Sequence, residues 1–129
     1  MHLIKPFINA KHDYKIKTTR EVSFEFAKNG FEALPVYTHK SNFQHRLSGF
    51  CFDDLGAEKQ IKHFENDCNV MAEILISRHK QFIENNSITH ITTNLSATEL
   101  ENYYGNLVRS RLRSMFNLIA FDRYSADKR

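Results

Sequence analysis

The sequence predicts an α/β fold with a largely parallel sheet flanked by helices, and three observations carry that prediction. Phe50-Cys51-Phe52 is an unbroken apolar run that ends on Asp53-Asp54 and Gly56, the pattern of a short strand buried on both faces. Residues 88–94, Ile-Thr-His-Ile-Thr-Thr-Asn, form a β-branched run that also ends on polar side chains, as a second buried strand would. Between them Val70, Met71, Ile74, Leu75 and Phe82 recur at helical spacing, so strand, helix and strand follow one another as parallel pairing requires.

The remaining elements extend the alternation. Residues 1–8 carry apolar side chains at helical spacing without a capping residue, like the second half of a helix. Residues 14–18 alternate as a half-buried strand, after which Thr19 is expected to cap a helix bearing Val22, Phe24 and Phe26 and stopping at Asn29-Gly30. Residues 31–48, with Pro35 and several histidines, suggest a loop holding a short helix. The long helix is expected over 66–84, broken by Asn85-Asn86. Ser96 and Glu99 have capping-box spacing and open a helix that closes near Gly105. A further helix has Val108, Leu112 and Met115 on one face, and residues 118–121 suggest a last strand before a charged tail at 122–129.

Composition sets the outer bounds. The chain has 129 residues, 41% hydrophobic and 26% charged, which fits one globular domain over 1–129. A formal charge of +3 tolerates an anionic partner but lacks the density of a dedicated nucleic-acid protein. Cys51 and Cys68 have no C-x-x-C spacing, so reduced thiols in a cytoplasmic protein are expected rather than a disulfide or zinc knuckle. No apolar run approaches the roughly 20 residues needed to cross a bilayer. His63, Cys68, His79 and His90 have no zinc-site spacing. Eleven Phe and five Tyr without Trp suit core packing better than a base-stacking platform.

Asp53 and Asp54 are the candidate site. At the carboxyl end of a buried strand they occupy the place where open α/β sheets bind ligands. One carboxylate could hold magnesium while its neighbour orients or deprotonates a water. A strand followed by an Asx-type turn explains Asp-Asp-Leu-Gly equally well on its own.

The ordered set of residues 50–58, Thr92-Thr93-Asn94-Leu95, Tyr104-Gly105 and Ser110-Arg111-Leu112 resembles the back two thirds of a DnaC/IstB-type AAA+ ATPase, the helicase-loader and transposition-helper group. The likeness is greatest to phage and mobile-element members ending in a sequence like Asp127-Lys128-Arg129. The resemblance implies a P-loop NTPase fold, ATP and Mg2+ as cofactors, and a homo-oligomer of ATPase subunits. A replicative helicase or transposase, with DNA, would be its partners, and no membrane is involved. It also implies that Asp53 and Asp54 are the Walker B pair, Asp53 holding Mg2+ and Asp54 polarising the attacking water. Asn94 would be the sensor 1 residue, facing the γ-phosphate or that water; a strand-ending Asn at a turn is its structural alternative. Arg111 would be an arginine finger reaching a neighbouring subunit's phosphate, with an apolar-stemmed surface arginine as the alternative. Arg109 and Arg113 fall on the other side of their helix, as a solvated face with a secondary chance of DNA phosphate contacts. Lys128 and Arg129 suggest a frayed terminus.

The departure from that family is the phosphate loop. None of the four glycines, Gly30, Gly49, Gly56 and Gly105, precedes Lys-Ser or Lys-Thr, so no G-x-x-x-x-G-K-[ST] occurs. Paired aspartates cannot replace its N–H cradle and lysine. The expectation is therefore an amino-truncated AAA+ domain, unable to hydrolyse ATP alone. Its first strand, expected in the sheet's centre between the strand of Asp53 and that of Asn94, would be missing, leaving a gap or two unpaired strand edges there, so that the chain would rearrange, pair with another copy or need the absent segment in trans. The competing expectations are a nonenzymatic remnant or regulator that docks on full-length ATPases and, less favoured, an unrelated small DNA-binding protein.

Overall fold

The structure, a computed structural model, describes residues 14–38, 49–60 and 69–120. Its elements are β1 (Tyr14–Thr18), α1 (Thr19–Asn29), a 3-10 turn (Gly30–Ala33), α2 (Pro35–Thr38), β2 (Gly49–Leu55), a second 3-10 turn (Ala57–Gln60), α3 (Val70–Asn85), β3 (Thr89–Thr93) and α4 (Ala97–Met115). Among the described residues the fold is mixed α/β, a three-stranded parallel sheet in the order β1-β2-β3 with helices packed against it.

The order corrects one expectation. No gap separates the strand of Asp53 from the strand preceding Asn94: β2 pairs directly with β3, Phe50 opposite Thr89, Cys51 opposite His90 and Phe52 opposite Ile91. β2 is the central strand of the three, and its apolar run satisfies both neighbours' ladders while burying both its faces. Phe50, Cys51 and Phe52 are all buried, as the uninterrupted run predicts.

The two crossovers β1-α1-β2 and β2-α3-β3 advance across the sheet in one direction, so right-handed connections place α1 and α3 on the same face. That face carries Phe50 and Phe52, stacked with ring centroids 5.6 Å apart, under Tyr37 of α2. Val22 and Phe26 of α1, Met71, Ile74 and Leu75 of α3, and Tyr104 and Val108 of α4 complete the core. Each such side chain contributes on the order of 1.5–3 kcal/mol by leaving water.

Local chemistry accounts for the helix ends. Thr18, not Thr19, caps α1: its side chain accepts from Glu21 N, and the Glu21 carboxylate accepts from Thr18 N. Thr19 is instead buried and turned toward β2. Val22 and Phe26 are buried but Phe24 is 55% exposed, because i and i+4 share a helix face and i+2 does not. Asn69 caps α3 through Ala72 N, which starts the helix at Val70 rather than residue 66, and Asn86 ends it with left-handed backbone. Ser96 caps α4 through Glu99 N, as the capping-box spacing predicts. Gly105 has φ 86 and ψ 169, so α4 consists of two helical segments on either side of it, matching the two expected helices.

Two expectations meet other outcomes. Residues 118–120 form no strand; Leu118 is 91% exposed and Ile119 77%. Arg109 is only half on a solvated face, since its guanidinium pairs with Glu101 across the Gly105 break. The expected helix at 1–8, the tail at 122–129, His63 and Cys68 lie outside the described residues.

Candidate functional site

The carboxyl ends of the three strands bring together Thr18 and Thr19, Asp53 and Asp54, and Thr92, Thr93 and Asn94. The strand does not stop at the carboxylates, as the apolar run alone suggests; it passes through them to Leu55. Phe52 pairs with Ile91 and Leu55 with Thr93, so Asp53 and Asp54 together oppose the single residue Thr92. This is a β-bulge, a device that re-aims side chains beside functional sites.

The bulge gives the adjacent aspartates different surroundings. Asp53 is half-buried and Asp54 exposed. Asp54 has φ 62, in the left-handed region that Asp tolerates better than most residues. Hydrogen bonds with the first residue of α1 and with β3 hold it there. Thr19 Oγ1 donates to Asp54 O at 2.8 Å, and Asp54 N donates to Thr92 Oγ1 at 2.9 Å. Thr92 Oγ1 in turn donates to Asp53 Oδ1 at 2.5 Å.

The following loop is equally fixed. Glu58 is buried and accepts from Gly56 N at 2.9 Å and from the Tyr104 hydroxyl on α4. Burial and the hydrogen bond to Glu58 push the Tyr104 hydroxyl well above the usual tyrosine range. Thr93 Oγ1 donates to Leu55 O at 2.7 Å and accepts from Leu95 N at 3.1 Å, binding the end of β3 to the end of β2.

Of the residues singled out from the sequence, Asp53, Asp54 and Asn94 share this end of the sheet, Asn94 being exposed directly after β3. Arg111 does not join them. It lines an open depression of about 270 Å³ with Ile76, His79, Lys80, Ile83 and Glu84. Ile83 and Glu84 belong to the last turn of α3, which leads into the start of β3. Arg111 therefore lies at the opposite end of the strands from its own chain's carboxylates.

Sequence reasoning missed the threonines. The signal was present: Thr18-Thr19 spans the junction of β1 and α1, and Thr92-Thr93 ends β3, so paired threonines stand at the carboxyl ends of both strands that flank β2. Threonine in a strand reads as β-propensity, which hides its use as a hydrogen-bonding end residue.

A magnesium ion suits the donor set. Mg2+ takes one or two carboxylates and completes its shell with water and phosphate oxygens, and Asp53 and Asp54 are hard oxygen donors at one strand end. Among the described residues no group of three or more His, Cys, Asp or Glu could hold a metal by itself. His79 is buried, its Nε2 2.7 Å from Ser114 Oγ, and His90 stacks edge-on with Tyr14 at 6.0 Å. Burial holds His90 below the usual histidine range. Comparison with known protein families, curated proteins and solved structures finds no match to this chain.

Proposed function

We propose that this chain carries the magnesium- and water-handling half of an AAA+ ATPase site of the DnaC/IstB kind, acting in DNA replication or transposition. The observation that carries the reading is the bulge, which gives two adjacent carboxylates different surroundings at the same end of the parallel sheet as Asn94. Asp53 holds Mg2+, which when bound offsets charge on phosphate oxygens. Asp54, exposed, polarises the attacking water, and Asn94 donates a hydrogen bond to that water or the γ-phosphate. With no glycine-lysine phosphate loop in these 129 residues, the chain alone does not turn over ATP. The intact assembly is an oligomer of ATPase subunits working with a replicative helicase or a transposase on DNA.

The test is paramagnetic. Mn2+, standing in for Mg2+, should broaden the amide signals of residues 53–56 and 92–95 first, and excess Mg2+ should restore them. Asp53→Asn should abolish the effect. Uniform broadening, or broadening centred elsewhere, overturns the reading.

A second reading is favoured by the position of Arg111, exposed at the far end of the sheet from Asp53. There it faces away from its own chain's carboxylates and is open to another molecule's phosphate, and on this reading the chain acts as a nonenzymatic regulator docking on full-length ATPases. Arg111→Ala would then abolish the chain's effect on a full-length enzyme's turnover, whereas Asp53→Asn would not.

A further inference from the structure

Thr92 has no role in the reading above, yet its hydroxyl touches both aspartates. It accepts Asp54 N–H at 2.9 Å and lies 2.5 Å from Asp53 Oδ1. A hydroxyl has one proton to give and lone pairs to receive with. Since Asp54 N–H occupies it as an acceptor, its own proton points to the carboxylate. The polarity of the chain is thereby fixed as Asp54 N–H to Thr92 O–H to Asp53 carboxylate.

We propose that Thr92 is the positioning residue of this site: one hydroxyl both aims the Asp53 carboxylate for a divalent cation and holds Asp54 in its left-handed conformation. The inference rests on the magnesium-handling reading. A carboxylate that ligates a metal needs its rotamer fixed, and hydrogen bonds from outside the ligand shell supply this, typically at a cost of 10–100-fold in affinity when removed. Asp53 sits at a bulge, where the ladder gives the backbone less guidance than in a regular strand. The Thr92 hydroxyl replaces the missing ladder contact, because Asp54 N bonds to its side chain.

The neighbouring residue supplies a matched control. Thr93 also uses its hydroxyl twice, donating to Leu55 O and accepting from Leu95 N, and among the described residues both partners are backbone atoms. Thr92→Val and Thr93→Val each remove a hydroxyl that ties the ends of β2 and β3 together. Only the first frees a carboxylate.

The experiment titrates Mg2+, and separately Mn2+, into the full chain and follows the amide signals of residues 53–56 and 92–95. It compares wild type, Thr92→Val, Thr92→Ser and Thr93→Val at a temperature where thermal denaturation shows all four folded. Thr92→Val is expected to weaken metal binding about tenfold, and Thr92→Ser, which keeps the hydroxyl, to stay within about threefold of wild type. Thr93→Val is expected to lose stability while keeping wild-type metal affinity. If Thr92→Val binds as wild type does, or Thr93→Val weakens binding equally, Thr92 is structural only and the inference falls while the magnesium reading stands. If wild type binds neither metal at these residues, both fall together. A Thr92→Val chain that does not fold moves the decision to Thr92→Ser and Thr92→Asn: Asn, which can still accept from Asp54 N–H and donate to Asp53, must then bind metal within tenfold of wild type, and failure to do so overturns the inference.

Discussion

Gly56 and Leu95 leave no room for another atom between them: a Cβ on Gly56 would stand 2.6 Å from Leu95 Cδ1 and 3.0 Å from its Cγ. This contact joins the loop after Asp53-Asp54 to the turn after Asn94. Gly56 also has φ 109, which costs a side-chain-bearing residue on the order of 1–3 kcal/mol. Gly56→Ala is therefore expected to lower stability by at least about 1 kcal/mol in urea denaturation. Adding Leu95→Ala removes the clash but not the backbone strain. The double variant should therefore fall below the sum of the two single losses, and strict additivity would show that the contact carries no energy.

Arg78 joins three elements from inside the core. It is fully buried, its Nε donating to Thr89 Oγ1 at 2.6 Å, Nη1 to Tyr37 O at 2.8 Å and Nη2 to Ile88 O at 3.0 Å. The guanidinium also lies 5.1 Å from the Phe50 ring centroid. Burial depresses its pKa from 12.5 to about 10, a sign that the charge is held at a cost. Arg78→Met removes that cost but takes the guanidinium donors from Tyr37 O and Thr89 Oγ1, while Ile88 O keeps the Phe50 N–H. Each buried group left unpaired costs about 1–3 kcal/mol, so the loss wins. The expected result is destabilisation of about 2 kcal/mol or more in chemical denaturation; a Met variant as stable as wild type would refute it.

The same burial sets the response to alkali. Tyr37 and Tyr104 ordinarily ionise near 10; burial first, then hydrogen bonds to Glu25 and Glu58, hold their folded-state values well above that. Burial and the charge of Asp53 push Cys51 from 9.0 to about 11. For all three the folded chain keeps protons that the unfolded chain has lost, so their contribution is present below pH 9–10 and disappears as pH rises. Arg78 acts oppositely between about 10 and 12.5, where the unfolded chain binds the extra proton. Three groups outweigh one, and stability should fall on the order of 2 kcal/mol per pH unit near pH 10.5. Urea midpoints across pH 9–11 measure it, and Tyr37→Phe or Tyr104→Phe should each flatten the slope.

What the sequence discloses divides along physical lines. Elements set by periodicity and capping were legible: β2 from its apolar run, α3 from its band, α4 from Ser96 and Glu99, and its division from Gly105. Asn94 was legible as the residue after a strand, and the carboxylates as lying near a strand's carboxyl end, although β2 runs on through them to Leu55. The bulge was not, because register is a property of two strands and Phe52 to Leu55 reads the same whether or not Ile91 and Thr93 skip a partner. Tyr104 with Glu58, far apart in sequence, was hidden for the same reason. Strand adjacency also failed, since nothing local in 50–55 or 88–94 states which strand lies beside which.

The last disagreement is at residues 118–120, where an apolar, β-prone run predicts a fourth strand and the structure leaves Leu118 and Ile119 exposed and outside any ladder. β-propensity measures fit to a half-buried pleated surface, and with no strand beside them among the described residues these side chains have nothing to gain by pairing. Leu118→Thr with Ile119→Thr should then change stability by less than about 0.5 kcal/mol, as for other substitutions on an exposed surface. Were the pair buried in a sheet, each substitution would lose a large part of a buried aliphatic side chain's 1.5–3 kcal/mol or so. The two outcomes are separated by several times the error of a urea midpoint. A combined loss above about 2 kcal/mol would place a fourth strand on the sheet and return the element to the position its sequence suggests.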